Sequence, residues 1–201
     1  MSDSLALFFS VWIKFFFVFT PFFALSMFLS MTEGYPEGRR RKLAWVVSGA
    51  VVVLCFVLFF AGNQLFTLFG ITLNSFRIGA GALLFLSAVG LVQGKMATAD
   101  GRADSEIAVV PLAMPITVGP ATTGTLLVLG AELDTVTAKG VGAFALLAAV
   151  ACLCIVLLLA SLIQRTLGNR GIGILSKLTG LILAALAAQM VMTGIQGFMS
   201  K

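Results

Sequence analysis

Long apolar runs that contain almost no charge recur along the whole chain and limit what it can fold into. Six of them lie at about residues 5–31, 44–66, 72–93, 107–129, 140–163 and 178–199. About 20 apolar residues are enough to cross the hydrocarbon layer of a membrane as a helix, and only 10% of the residues are charged. We therefore predict an all-α membrane protein with six transmembrane helices, in which residues 1–201 form a single membrane domain in the lipid bilayer.

The absence of histidine and the positions of the cysteines and acidic residues argue against most enzyme chemistry. The chain has no histidine, and its three cysteines, Cys55, Cys152 and Cys154, lie within apolar runs. No catalytic residue, metal ligand or cofactor is therefore expected, and we expect the protein not to be an enzyme. All eight acidic residues lie at or beyond the ends of the spans, so no buried carboxylate is available as an obvious proton carrier. The identity of a coupling ion, Na⁺ or H⁺, stays open.

The basic residues are distributed unequally between the two sides of the predicted spans. Nine lie in the connectors after spans 1, 3 and 5: Arg39, Arg40, Arg41, Lys42, Lys95, Arg102, Arg165, Arg170 and Lys177. Three lie on the opposite side: Arg77, Lys139 and Lys201. By the positive-inside rule, the first group is cytoplasmic and both termini lie outside. The net charge of +5 therefore reports orientation, and no nucleic-acid partner is expected.

Lys14 is a charge well inside predicted span 1. A charge at the centre of a membrane helix costs about 2.5–3.5 kcal/mol on insertion scales. We expect Lys14 either to line a cavity or, preferentially, to extend its long stem to the outer interface.

The two halves of the sequence resemble each other. Residues 77–83 match residues 177–183 at an offset of 100, and Pro21 corresponds to Pro120 at an offset of 99. Because each half holds three spans, residues 1–95 and 106–201 are predicted to form two repeats of opposite orientation in the membrane. Many secondary transporters have this arrangement, with a binding site near the midplane. A channel or a structural protein can also be repeated.

Proline interrupts predicted spans 1 and 4 at equivalent places. Proline removes a backbone donor and clashes with the preceding turn, so both spans are predicted to be broken helices. The N-terminal ends of the second halves attract a carboxylate, and nearby hydroxyl and carbonyl oxygens can bind an ammonium group or Na⁺. The candidate substrate-binding residues are Thr20, Pro21, Ser26, Thr117, Gly119, Pro120, Thr122, Thr123 and Gln189. Two alternatives stay open, namely that the prolines are ordinary kinks and that Gln189 only joins helices.

Three segments carry a family resemblance: residues 110–120 (VPLAMPITVGP), residues 75–78 (SFRI), and residues 178–183 (LTGLIL) with Gln189 and Gly194. These motifs resemble the MarC family, also classed as neutral amino acid transporters. The resemblance covers essentially the whole chain and implies six spans, two inverted three-helix repeats and an inner-membrane location. It also implies movement of small neutral amino acids such as glycine and alanine. The family usually has Asn or Asp before the first proline of span 1, then Gly and a second proline, whereas residues 20–26 here are TPFFALS, which is bulkier.

These observations lead to two hypotheses of different kinds. The first is a secondary transporter that moves a small neutral amino acid or similar small metabolite across the bacterial inner membrane by alternating access between the two repeats. The alternative is a non-transporting membrane scaffold or partner subunit. It is suggested by the altered span 1 and by Gly90 and Gly94, whose spacing is typical of closely packed helices. Whether the protein forms a homo-oligomer is left open by the sequence.

Overall fold

A computed structural model describes residues 2–32, 34–94 and 117–199, and within these ranges every regular element is a helix. The helices are α1 (Ser2–Val18), α2 (Pro21–Met31), α3 (Glu37–Phe69), α4 (Leu73–Gln93), α5 (Pro120–Glu132), α6 (Val136–Leu158) and α7 (Ala160–Met199). Among the residues that the structure describes, five segments are long and apolar enough to cross a membrane: Ser4–Leu29, Glu37–Ala61, Leu73–Gln93, Val136–Leu158 and Ala160–Met199. The prediction of an all-helical, multi-pass membrane protein is therefore confirmed.

The five segments correspond to predicted spans 1, 2, 3, 5 and 6. Of the span predicted at 107–129, residues 107–116 lie outside the described ranges, and its remaining part forms most of the 13-residue helix α5. Gly168, which has a positive φ of 63°, divides α7 into two parts. Two helices extend further toward the N-terminus than the apolar runs indicate, since α3 begins at Glu37 and α7 at Ala160. Both extensions carry basic residues expected in connectors. Lysine and arginine interrupt an apolar run, but they are good helix formers.

The first half of the chain packs against the second half. α1 lies against α6, α2 against α7, α3 against α5 and α6, and α4 against α5 and α7. Phe15, Phe19 and Phe59 are fully buried in the largest of the three hydrophobic clusters within the described ranges. Large apolar side chains such as Leu86, which is 67% exposed, cover the outside of the bundle. In a membrane these outer side chains are solvated by lipid, so their exposure is consistent with a multi-pass protein.

Two of the helix contacts depend on glycine. Gly130 of α5 lies against the backbone carbonyl of Phe59 in α3, so a Cβ at this position would collide with the carbonyl oxygen. Gly81 of α4 faces α7, where a Cβ would lie 2.7 Å from Cγ2 of Val191. Small residues let membrane helices approach closely and pack through van der Waals contact. These two glycines therefore position α5 on α3 and α7 on α4.

Arg40, within the basic run of residues 39–42, joins three helices. Its Nη2 donates to the backbone carbonyl of Thr32, just beyond the end of α2, at 3.0 Å. Its Nη1 donates to Oγ of Ser161 in the first turn of α7, also at 3.0 Å. A cation at the C-terminal end of a helix also interacts favourably with the helix dipole. Arg40 is one of the basic residues from which the orientation in the membrane is predicted. In the structure it also holds the adjoining ends of α2, α3 and α7 together.

Candidate functional site

Predicted span 1 is interrupted at Thr20. α1 ends at Val18, α2 begins at Pro21, and Thr20 between them has a positive φ of 47°. This conformation is an outlier for a β-branched residue, and Pro21 has no N–H to continue the helical hydrogen bonds. The N–H of Thr20 donates instead to the carbonyl of Phe17 (2.9 Å), and the N–H of Ala24 donates to the carbonyl of Thr20 (2.9 Å). The break predicted in span 1 is confirmed.

Among the described residues, 118 and 119 directly before α5 are also non-helical, and this short stretch is called the second interruption. Gly119 is extended (φ −83°, ψ −178°), and α5 begins at the next residue, Pro120. The buried Thr122 hydroxyl lies 3.1 Å from the carbonyl oxygen of Thr117 and 3.4 Å from the carbonyl oxygen of Val18. The hydroxyl can therefore donate its single proton to a backbone carbonyl of either interruption. The two interruptions meet inside the bundle, and one side chain connects them.

A cavity of about 490 Å³, called the wide cavity, opens between α1, α4, α5 and α7. Its charged and polar lining residues are Lys14, Arg77, Thr125, Glu132, Asp134, Gln189 and Thr193. Arg77 is paired here, with its Nη2 2.8 Å from Oε1 of Glu132 and its Nη1 2.9 Å from Oδ1 of Asn74. The cavity volume is in the range of small-molecule binding sites.

A cavity of about 230 Å³, called the narrow cavity, lies at the other end of α4, between α2, α4 and α7. Its lining residues are Phe23, Ser26, Met27, Gly90, Leu91, Gly94, Gly173, Ser176 and Lys177. At about 1.5 Å per residue, Arg77 in the wide cavity and Leu91 in the narrow cavity are about 21 Å apart along α4. Gln189 and Ser176 are about 20 Å apart along α7 on the same basis. The two cavities therefore lie toward opposite ends of the bundle.

An apolar layer separates the two cavities. It consists of the buried residues Val18, Leu84, Ala88, Leu91, Ala121, Leu183 and Ala187. Val18 and Leu84 also line the wide cavity, and Leu91 also lines the narrow one. Both interruptions reach this layer, because Val18 is the last residue of α1 and Ala121 is the second residue of α5. The arrangement can hold a small molecule on one side of a thin barrier formed where the chain breaks.

The structure distributes the predicted binding residues over three places. Buried at the interruptions are Thr20, Pro21, Thr117 and Thr122, with Gly119 and Thr123 half-buried beside them. Gln189 lines the wide cavity, and Ser26 lines the narrow one. The side chain of Pro120 lies outside the described part of the structure, as do Pro111 and Pro115. The described candidates therefore flank the barrier and do not converge on one pocket.

Sequence reasoning missed most of the wide cavity. Lys14, for which the sequence favours extension to the outer interface, lines this cavity. Arg77 and Glu132 stand out in the sequence only as charges at span ends, and they pair across α4 and α5. The available signal was helical spacing, since Gln189 and Thr193 are four residues apart and lie on one face of α7. That signal identifies a polar face but not the helix that it meets.

Comparison with known proteins agrees with the motifs. The model of a family described as MarC family integral membrane protein matches residues 5–199. The chain belongs to the MarC family. The resemblance carried by residues 110–120 and the two companion motifs is therefore confirmed.

Relatives in the MarC family match over nearly their full length. A UPF0056 membrane protein of Methanocaldococcus jannaschii is 33% identical over 189 residues, which cover 90% of this chain and 91% of the relative. A UPF0056 membrane protein of Aquifex aeolicus is 32% identical over 191 residues, which cover 90% of this chain and 89% of the relative. UPF0056 membrane protein YhcE of Escherichia coli is 29% identical over 202 residues, 94% of each chain. No solved structure gives a significant match.

Proposed function

We propose that this MarC-family protein is a secondary transporter that moves a small neutral amino acid, or a similar small metabolite, across the bacterial inner membrane by alternating access. The observation that carries the proposal is the pair of cavities at opposite ends of the bundle with a thin apolar layer between them. An open channel would need a continuous polar path, and the described residues do not form one. A transporter needs a barrier that can move from one side of its site to the other.

Residues 1–95 and 106–201 are the proposed moving halves. Helix packing supports this assignment, because α2 lies against α7 and α5 lies against α4. Under the offset that pairs Pro21 with Pro120, α2 corresponds to α5, and α4 corresponds to α7. The two contacts are then equivalent. Rocking of one inverted repeat against the other would exchange the environments of the two cavities.

We also propose that both termini lie outside. The basic starts of α3 and α7 then face the cytoplasm, as the positive-inside rule requires. The wide cavity, lined by Glu132 and Asp134, opens to the outside, and the narrow cavity, lined by Lys177, opens to the cytoplasm. In this orientation the described conformation is the outward-facing one.

The two helix interruptions are the proposed hinges. Movements of this kind are absorbed by a few residues at the ends of helices, and Thr20 and Gly119 occupy such positions next to the apolar layer. Transport requires no cofactor and no catalytic step. The driving force is the substrate gradient or a gradient of Na⁺ or H⁺.

The decisive experiment is uptake of labelled glycine, alanine and serine by proteoliposomes that contain the purified protein. Saturable uptake of at least one of them, above the level of protein-free liposomes, is the expected result. Absence of flux in either direction for all three, with folded protein confirmed by size-exclusion chromatography after extraction, rejects this substrate class.

A matched pair of variants tests whether the wide cavity and the layer lie on the route. Leu84→Trp enlarges a residue that is 2% exposed and lines the wide cavity, whereas Leu83→Trp enlarges its 46% exposed neighbour on the outside of the bundle. We expect Leu84→Trp to abolish uptake and Leu83→Trp to preserve it. Equal uptake by the two variants, both folded, contradicts the proposed route.

A further inference from the structure

The wide cavity contains a cation that has no acidic partner among the described residues. Arg77 is paired with Glu132, whereas no carboxylate oxygen of a described residue lies within 4.0 Å of the Lys14 ammonium. Lys14 is half-buried and belongs to a helix that crosses the membrane. A charge at such a position is costly and is typical of a substrate or ion pathway. The cavity therefore carries, besides the carboxylate of Asp134, a positive charge that is available to an anionic group.

Lys14 and Gln189 lie at a similar level above the apolar layer. Lys14 precedes Val18 by four residues, about 6 Å along α1, and Gln189 follows Leu186 by three residues, about 4.5 Å along α7. Val18 belongs to the layer, and Leu186 packs against it. Side chains on a helix lean toward its N-terminus, so the Lys14 stem leads away from the layer, toward the level of Thr193. The ammonium and the Gln189 amide are then two donors on facing walls of one cavity.

The hydroxyl groups of the cavity have acceptor capacity. Thr193 Oγ1 donates its proton to the carbonyl of Gln189 at 2.8 Å, and Thr125 Oγ1 donates its proton to the carbonyl of Ala121 at 2.9 Å. A hydroxyl has one proton and two lone pairs, so each oxygen retains lone pairs that can accept a hydrogen bond. Both threonines line the wide cavity. The wall thus offers a cation and an amide to a carboxylate, and hydroxyl oxygens to an ammonium group.

We propose that the wide cavity binds a small α-amino acid in its zwitterionic form, with Lys14 holding the carboxylate. The Gln189 amide is the second donor to that carboxylate, and the oxygens of Thr125 and Thr193 accept hydrogen bonds from the ligand ammonium. The site differs from the helix N-termini at Pro21 and Pro120, which the sequence predicts as the carboxylate site. The proposal rests on the proposed transport function for its substrate class.

The test is equilibrium binding of labelled glycine, alanine and serine to the purified protein in lipid nanodiscs, which needs no flux. Lys14→Met removes the charge at similar length, Lys14→Arg keeps it, and Lys139→Met removes a lysine that does not line the wide cavity. A hydrogen bond to a charged group is strong enough that its loss weakens binding about tenfold or more. We expect this weakening for Lys14→Met, a much smaller change for Lys14→Arg, and none for Lys139→Met. Alaninamide, which lacks the carboxylate, is expected to displace labelled alanine poorly.

Three results overturn the proposal: unchanged affinity in Lys14→Met, displacement by alaninamide as effective as displacement by alanine, or no saturable binding of any of the three amino acids. The outcome is separable from that of the transport proposal. Binding that depends on Lys14 without any flux supports the site and rejects transport. Flux together with unchanged affinity in Lys14→Met supports transport and rejects the site.

Discussion

Replacing Thr122 by valine should loosen the contact between the two helix interruptions. The substitution keeps the shape of the side chain and removes the hydroxyl that lies 3.1 Å from the Thr117 carbonyl and 3.4 Å from the Val18 carbonyl. Val18 ends α1, where carbonyl groups have no partner within the helix. A hydrogen bond in a membrane protein contributes about 0.6 kcal/mol on average and up to about 1.7, and an unsatisfied buried acceptor costs about 1–3 kcal/mol. We expect Thr122→Val to lower the free energy of unfolding by about 1–2 kcal/mol.

The assay is reversible unfolding in mixed micelles with increasing SDS, followed by tryptophan fluorescence from Trp12 and Trp45. Thr122→Ser retains the hydroxyl and should stay close to the unaltered protein. Thr123→Val is the matched control, since this neighbouring residue is half-buried and its hydroxyl makes no hydrogen bond to a described residue. If Thr122→Val unfolds at the same SDS fraction as Thr123→Val, the connection between the interruptions has no energetic importance and the reasoning is refuted.

Three further predictions concern single positions. Gly130→Ala should be strongly destabilising, because the new Cβ would collide with the carbonyl of Phe59. Gly140→Ala is the control and should leave the stability unchanged, because no atom lies within 4 Å of its new Cβ. Equal stabilities of the two variants in the same SDS assay would show that α5 can move away from α3. Thr20→Gly should be more stable than Thr20→Ala by about 1 kcal/mol, because both remove the side chain but only glycine adopts a φ of 47° without steric cost, and a less stable Thr20→Gly would contradict the strained backbone. Val136 is 90% exposed and lies on the side proposed to be outside. In a variant whose three native cysteines are replaced, Val136→Cys should react with a membrane-impermeant maleimide in intact cells. Labelling that occurs only after cell lysis would reverse the proposed orientation.

Much of the secondary structure follows from local properties of the chain. An apolar run of suitable length in lipid must satisfy its backbone hydrogen bonds internally, so a helix follows from composition alone. The break at Thr20 was predictable for the same reason, because Pro21 lacks the N–H that a continuous helix needs. The starts of α3 and α7 were not predictable in this way, because their basic residues lie outside the apolar runs but still belong to the helices.

The candidate site was less predictable because it depends on which helix faces meet. Gln189 and Ser26 both stand out as polar residues in apolar surroundings, but only the packed bundle places them in two different cavities on opposite sides of the apolar layer. Thr122 was predicted to contact substrate, and in the structure its hydroxyl lies against the backbone of both interruptions. Helical periodicity identifies a polar face, but it does not say whether that face meets lipid, another helix or a cavity.

The sequence by itself determined that this MarC-family chain lies in a membrane, where its apolar membrane-crossing segments lie, and where one of them breaks, because these depend on the transfer of side chains and backbone groups into lipid. Tertiary structure decided that Lys14 and Gln189, 175 positions apart in the chain, line one cavity. It also decided that an apolar layer divides this cavity from the narrow one. Such long-range arrangements depend on the close approach of particular helices, which small residues at Gly81 and Gly130 permit.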